Sequence, residues 1–173
     1  HEAALAAERA VAAELGELAA RARTLAMERQ RERAPLPAGL TRWSVGTSFT
    51  ATQLAPVPGP TLRLMDALAD VVFGDEGVGG GFAGDRAVYY DPRNSLLSSV
   101  VRRRRGIPLS LAVVYVAVAR RLGLPMHVIG SRGHVLVALA PSAHADDARD
   151  APSVAPSRRL YVDVYDGARA LTA

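Results

Sequence analysis

The sequence predicts an α+β domain: helices first, then an antiparallel sheet packed against a central buried helix. Three observations carry that expectation. Apolar residues recur at steps of three and four over the first thirty residues. An unbroken apolar run, Leu111 to Ala119, lies between Pro108 and Gly123. Short β-rich segments then follow one another to the C-terminal end.

Residues 2–33 read as one long helix, because Val11, Leu15, Leu18, Ala22 and Leu25 fall on one stripe, with Glu and Arg on the other faces. The stripe suits packing on the chain's own core; a coiled coil with a partner is the alternative. Residues 34–60 break the pattern with Pro35, Pro37, Pro56, Pro58 and Pro60, and read as a loop or linker. Thr61 is the expected cap of a helix bearing Leu62, Met65, Leu68, Ala69, Val72 and Phe73, stopped by Gly74. Residues 61–173 form the expected core. Asp91-Pro-Arg-Asn-Ser95 supplies turn and capping chemistry before a short helix with Leu96, Leu97, Val100 and Val101. Arg102 to Arg105 read as its solvated, electrostatically favourable end.

The segment 108–122 is β-branched, yet its length, Pro108 in the first turn and Gly123 as stop predict a helix, apolar all round and therefore central. Strands are expected at 126–129, 135–139 and 160–164, with Gly130 and Gly133 in the first turn. Residues 140–159, rich in Ala, Pro, Ser and Asp, read as an exposed insertion.

Composition narrows function. The 173 residues contain no cysteine, which excludes disulfides, thiolate metal sites and a cysteine nucleophile. All 21 basic residues are arginine, and the net charge is +4. Four consecutive arginines could grip phosphate, but no aromatic residues interleave and no nucleic-acid motif accompanies them, so nucleic-acid binding is not the expectation. The longest apolar stretch, 109–119, falls short of the ~20 residues of a membrane helix. No secretory signal is visible, so a soluble protein of the cytoplasm or an organelle interior is expected, and a chain beginning at His1 is expected to lack its true N-terminus. Gly79, Gly81 and Gly84 fit G-x-G-x-x-G but lack the preceding strand and following acid of a dinucleotide site, and no cofactor is expected.

Candidate chemistry gathers on Ser110 in the first turn of the central helix, His134 opening one strand and Asp163 in the next. A helix end beside a nucleophile, an imidazole to move a proton and a carboxylate to fix its tautomer form a triad logic. His127, His134 and Asp163 offer a second possibility, a two-histidine, one-carboxylate metal set, but their spacing matches no ligand motif, and no metal is assigned.

Asp91-Pro-Arg-Asn-Ser95, Arg105-Gly-Ile-Pro-Leu-Ser-Leu111, Val118-Ala-Arg-Arg-Leu-Gly-Leu-Pro125, Gly133-His134 and Tyr161-Val-Asp163 follow one another in an order that resembles the transglutaminase-like superfamily. The resemblance is to the branch typified by the bacterial SirB-one protein, and it runs from about Leu62 to Leu171. It implies a papain-like core in which His134 and Asp163 occupy the histidine and aspartate positions. The nucleophile position falls on Pro108 or, shifted by two, on Ser110; neither is a thiol. Val164 and Asp166 replace the proline and asparagine usual after the aspartate. The resemblance further implies one domain of a longer protein, of a type joined elsewhere to helical repeats and to adaptors of regulated proteolysis. The expectation is a non-catalytic, scaffold-like module with a protein partner. The alternative is a serine-dependent acyl transferase or hydrolase using Ser110, His134 and Asp163, and its small-molecule substrate is not legible.

Overall fold

The structure is a computed structural model that describes residues 2–33, 44–45, 59–74, 81–131, 134–139 and 160–165. Helix α1 (Glu2–Arg31) is rich in alanine, the strongest helix former, and buries Leu15, Leu18, Ala19, Ala22 and Ala26 along one stripe. That stripe enters the same core as α2, α3 and α4, so α1 lies on its own chain. Helix α2 lies alongside α1. Arg29 then clamps the pair from the rim, one nitrogen on Asp66 and one on Asp70, each at 2.6 Å.

Helix α2 spans Gly59–Phe73. It starts two residues before the expected cap, so Thr61 lies inside the first turn. Pro60 explains the shift: its fixed φ suits a first turn, where its missing N–H has no partner to lose. Phe73 stacks on Tyr115 with ring centroids 5.6 Å apart.

Asp91 caps a 3-10 turn at Pro92–Asn94 by accepting from Arg93 N. Helix α3 (Leu97–Arg103) follows and ends on Arg104 at φ 57°. Two strands absent from the sequence reading, β2 (Ala83–Gly84) and β3 (Arg105–Gly106), pair in parallel just before the central helix. Their shortness hides them from any periodicity. A third, β1 (Ser44–Val45), lies within the segment expected to be loop and pairs with β6.

Helix α4 (Pro108–Arg121) is central, and Leu111, Ala112, Val114, Tyr115, Val116, Val118 and Ala119 are buried in it. It is not buried all round. Leu109 and Val113, one turn apart, remain 52% and 40% exposed. Gly123 at φ +78° then turns the chain toward the sheet.

Strands β4 (Met126–Ser131), β5 (His134–Leu139) and β6 (Leu160–Val162) form an antiparallel sheet in the order β1-β6-β5-β4. The register pairs Met126 with Leu139, Val128 with Val137, and Val137 with Val162. These residues alternate onto the face that joins the core with α4. His134, Leu136 and Ala138 alternate onto the other. The expected insertion at 140–159 lies outside the described residues. No helix among the described residues is long and apolar enough to cross a membrane.

Candidate functional site

Ser110 is the third residue of α4, where helix N–H groups have no partner of their own helix. Its hydroxyl fills that need instead of facing a cleft. It accepts from Ile107 N at 3.1 Å and lies 2.7 Å from the carbonyl of Asn94. A second carbonyl, Ile107 O, stands at 3.1 Å, but a hydroxyl has one proton, and the shorter contact takes it. Gly106 is required opposite: a Cβ there would lie 2.5 Å from Ser110 Oγ. Among the described residues, Ser110 bonds to these backbone groups and not to His134.

His134 and Asp163 do come together. The register of β5 and β6 brings neighbouring strand positions side by side, and His134 Nδ1 stands 3.8 Å from Asp163 Oδ2. That distance exceeds a hydrogen bond, and it becomes an ion pair only when the imidazole is protonated. The two differ in environment: the His134 side chain is 63% exposed and that of Asp163 only 7%. The other Asp163 oxygen accepts from Tyr165 N at 2.9 Å, closing a turn at the end of β6. The carboxylate is held by backbone and offered to an imidazole in solvent.

His127 does not join them. It pairs across the hairpin with Ala138, whereas His134 pairs with Ser131, four residues farther along β4. At ~3.3 Å per residue the two histidines stand roughly 13 Å apart along the strand. No group of three metal-ligating side chains occurs among the described residues.

The arginine run also differs from the expected solvated helix end. Arg103 donates to Asn94 Oδ1 and to Asp85 Oδ2, both at 3.1 Å. Arg104 pairs with Glu14 of α1 and lies 4.6 Å from the Phe82 ring centroid. Only Arg102 and Arg105 are exposed. Arg103 ends α3 and Arg104 follows in the left-handed cap; both find partners within the chain, an outcome that helix periodicity does not foretell.

Sequence reasoning missed the residue at the centre of this network. Asn94 is fully buried; its amide donates to the Val88 carbonyl at 2.8 Å, its side-chain oxygen accepts Arg103, and its own carbonyl accepts Ser110. Asp85 accepts from Val88 N at 3.2 Å, and its N–H donates to the Gly106 carbonyl at 3.1 Å. The Asp-Pro-Arg-Asn-Ser motif was the available signal, and its turn chemistry masked a buried role for the asparagine. Asp91, one turn away, is gripped by Arg93, whose hydrogen bonds hold its carboxyl at about 2, below the ordinary 3.8. Of the G-x-G-x-x-G glycines, Gly79 lies outside the described residues, and Gly84 is part of β2, close against the Tyr165 ring.

A central helix on an antiparallel sheet, with a histidine and an aspartate on adjacent strands, is a transglutaminase-like core. A family model of the transglutaminase-like superfamily matches residues 9–173, and the chain belongs to that superfamily. The match takes in most of α1, well beyond the Leu62–Leu171 span expected from motifs. Similar proteins include a UPF0162 protein of Xylella fastidiosa (strain Temecula1), 52% identical over 59 residues, which are 34% of this chain and 21% of that protein. A UPF0162 protein of Pseudomonas aeruginosa is 38% identical over 81 residues, 47% of this chain and 28% of the relative. F-box only protein 21 of Mus musculus is 30% identical over 91 residues, 53% of this chain and 14% of the relative. The matches thus span under a third of each of these relatives. No solved structure gave a significant match.

Proposed function

We propose that this chain is a non-catalytic transglutaminase-like domain that serves a longer protein as a scaffold or adaptor module for protein partners. One observation carries the reading: the Ser110 hydroxyl, in the first turn of α4, is committed to the backbone of Asn94 and Ile107. Acyl transfer needs a nucleophile with its base in hydrogen-bond reach. Pro108 has no nucleophilic group, Ser110 donates its proton elsewhere, and the sequence holds no cysteine. In this reading His134 and Asp163 are a retained polar pair at the ends of the two inner strands, and the Asp163 carboxylate serves the turn to Tyr165.

The relationship to proteins named F-box only protein 21 supports a role in association more than one in turnover. A serine hydrolase built on Ser110, His134 and Asp163 would first have to break two backbone hydrogen bonds at a buried position. The test is affinity purification of the full-length protein from its own cells, paired with an acyl-ester and acyl-amide hydrolysis assay. A reproducible protein partner without turnover is expected. Turnover that disappears in both Ser110→Ala and His134→Ala overturns the reading in favour of the hydrolase.

A further inference from the structure

The ring of Tyr165 lies directly on Gly84. A Cβ on that glycine would stand 2.7 Å from Tyr165 Cδ2 and Cζ, and closer still to Cε2. The backbone does not require glycine at this position: among the described residues, the glycines at positive φ are Gly81 and Gly123. The ring requires it. Arg86, two residues on, places its guanidinium carbon 5.7 Å from the centroid of the same ring, inside the ~6 Å reach of a cation–π contact. Tyr165 is itself half-buried against the shared core.

This contact joins the two parts of the molecule that carry the candidate site. On one side, β2 pairs Gly84 with Gly106 of β3, and Gly106 stands against Ser110 in the first turn of α4. On the other, Tyr165 N donates to Asp163 Oδ1 at 2.9 Å, which leaves Oδ2 to face the His134 imidazole at 3.8 Å. A single hydrogen bond of this kind contributes little on balance, because water offers the same partners when the turn opens. A ring seated on Gly84 adds apolar contact and restricts where residue 165 can stand, and its amide with it.

We infer that Tyr165 is a positioning residue: its ring, seated on Gly84, holds the Asp163 turn closed and thereby fixes which carboxylate oxygen faces His134. The pair on the sheet is set from the helix side of the site, through β2 and β3. Position 84 is glycine because the ring occupies the place of a side chain. The inference goes beyond the scaffold reading and does not depend on it, since a pair held for binding and a pair held for turnover need the same placement.

Nuclear magnetic resonance on the isotopically labelled protein at constant pH supplies two readouts, the His134 imidazole resonances and hydrogen exchange of the amide at position 165. Asp163→Asn is the reference for an imidazole that has lost its carboxylate. Tyr165→Ala removes the ring, and Gly84→Ala displaces it while leaving residue 165 unchanged. Both variants are expected to move the His134 resonances toward the reference and to speed exchange at position 165 about tenfold or more, as local opening does. Tyr165→Phe keeps the ring and is expected to match the parent protein in both readouts. His134 resonances that stay in place in Tyr165→Ala and Gly84→Ala overturn the proposal. So does a Tyr165→Phe protein that behaves like Tyr165→Ala, because the role would then belong to the hydroxyl. Exchange that accelerates equally in α1 and α2 also overturns it, since that marks a general loss of stability instead of a local release.

Discussion

Ser110 Oγ and the Asn94 carbonyl lie 2.7 Å apart in a buried setting, so removing the hydroxyl leaves that carbonyl only the longer, 3.4 Å bond from Ile107 N. Ser110→Ala should lower unfolding stability by about 1–3 kcal/mol, measured by urea denaturation. Partner binding should be unchanged, since the hydroxyl faces inward. His134 and Asp163 should respond unequally. His134→Ala, at an exposed side chain, is expected to change stability by no more than about 0.5 kcal/mol. Asp163→Ala also loses the bond from Tyr165 N and should cost about 1–2 kcal/mol. Equal costs would indicate a tightly coupled pair instead. Asp91 gives a pH signature. Its folded pKa, about 2, lies below the ordinary 3.8, so the ionised form stabilises the fold above pH 4, and that contribution is lost as pH falls toward 2. The stability gap between the protein and Asp91→Asn should therefore close over that interval, whereas a constant gap would rule out the carboxylate as its source.

Between elements, close approach decides. Gly106 sits where β3 runs into α4, with Ser110 Oγ 2.5 Å and Val100 Cγ1 3.1 Å from where a Cβ would stand. Both neighbours are buried and fixed, so Gly106→Ala should cost about 1–3 kcal/mol by overpacking. Thermal unfolding reads this directly. Helix α1 packs on α2, α3 and α4, and its Leu18 is fully buried in the shared core. Leu18→Ala should cost about 2–5 kcal/mol, as core truncations do, if α1 belongs to the folding unit. A cost below about 1 kcal/mol would make α1 an appendage with its own stability. The same elements show why local pattern sufficed for some of them. Helix α1 carries a long apolar repeat, helix α4 is bounded by Pro108 and Gly123, and strands β4 to β6 are β-rich runs; all fall within a few residues of where the sequence puts them. Strands β2 and β3 have two residues each, too few for a period, and exist because Ala83 N and Asp85 N find carbonyls on the chain leading into α4.

At the scale of the whole molecule, the fold class, the order of helices and strands, and the absence of a thiol were legible in the linear sequence. Helix and strand periods are local properties, and a missing residue type needs no coordinates. His134 and Asp163 were legible as a pair because adjacent antiparallel strands must set some of their residues side by side. Tertiary structure alone decided where Ser110 spends its proton, that Asn94 is buried at the centre of a polar network, and that α4 leaves Leu109 and Val113 open. Each of these depends on contacts between residues distant in the chain, and a hydroxyl in a first turn looks the same in sequence whether it faces a substrate or a carbonyl. The sequence thus determined that this chain holds no cysteine, while the packing of the loop at Asn94 against α4 determined that the Ser110 hydroxyl bonds to backbone.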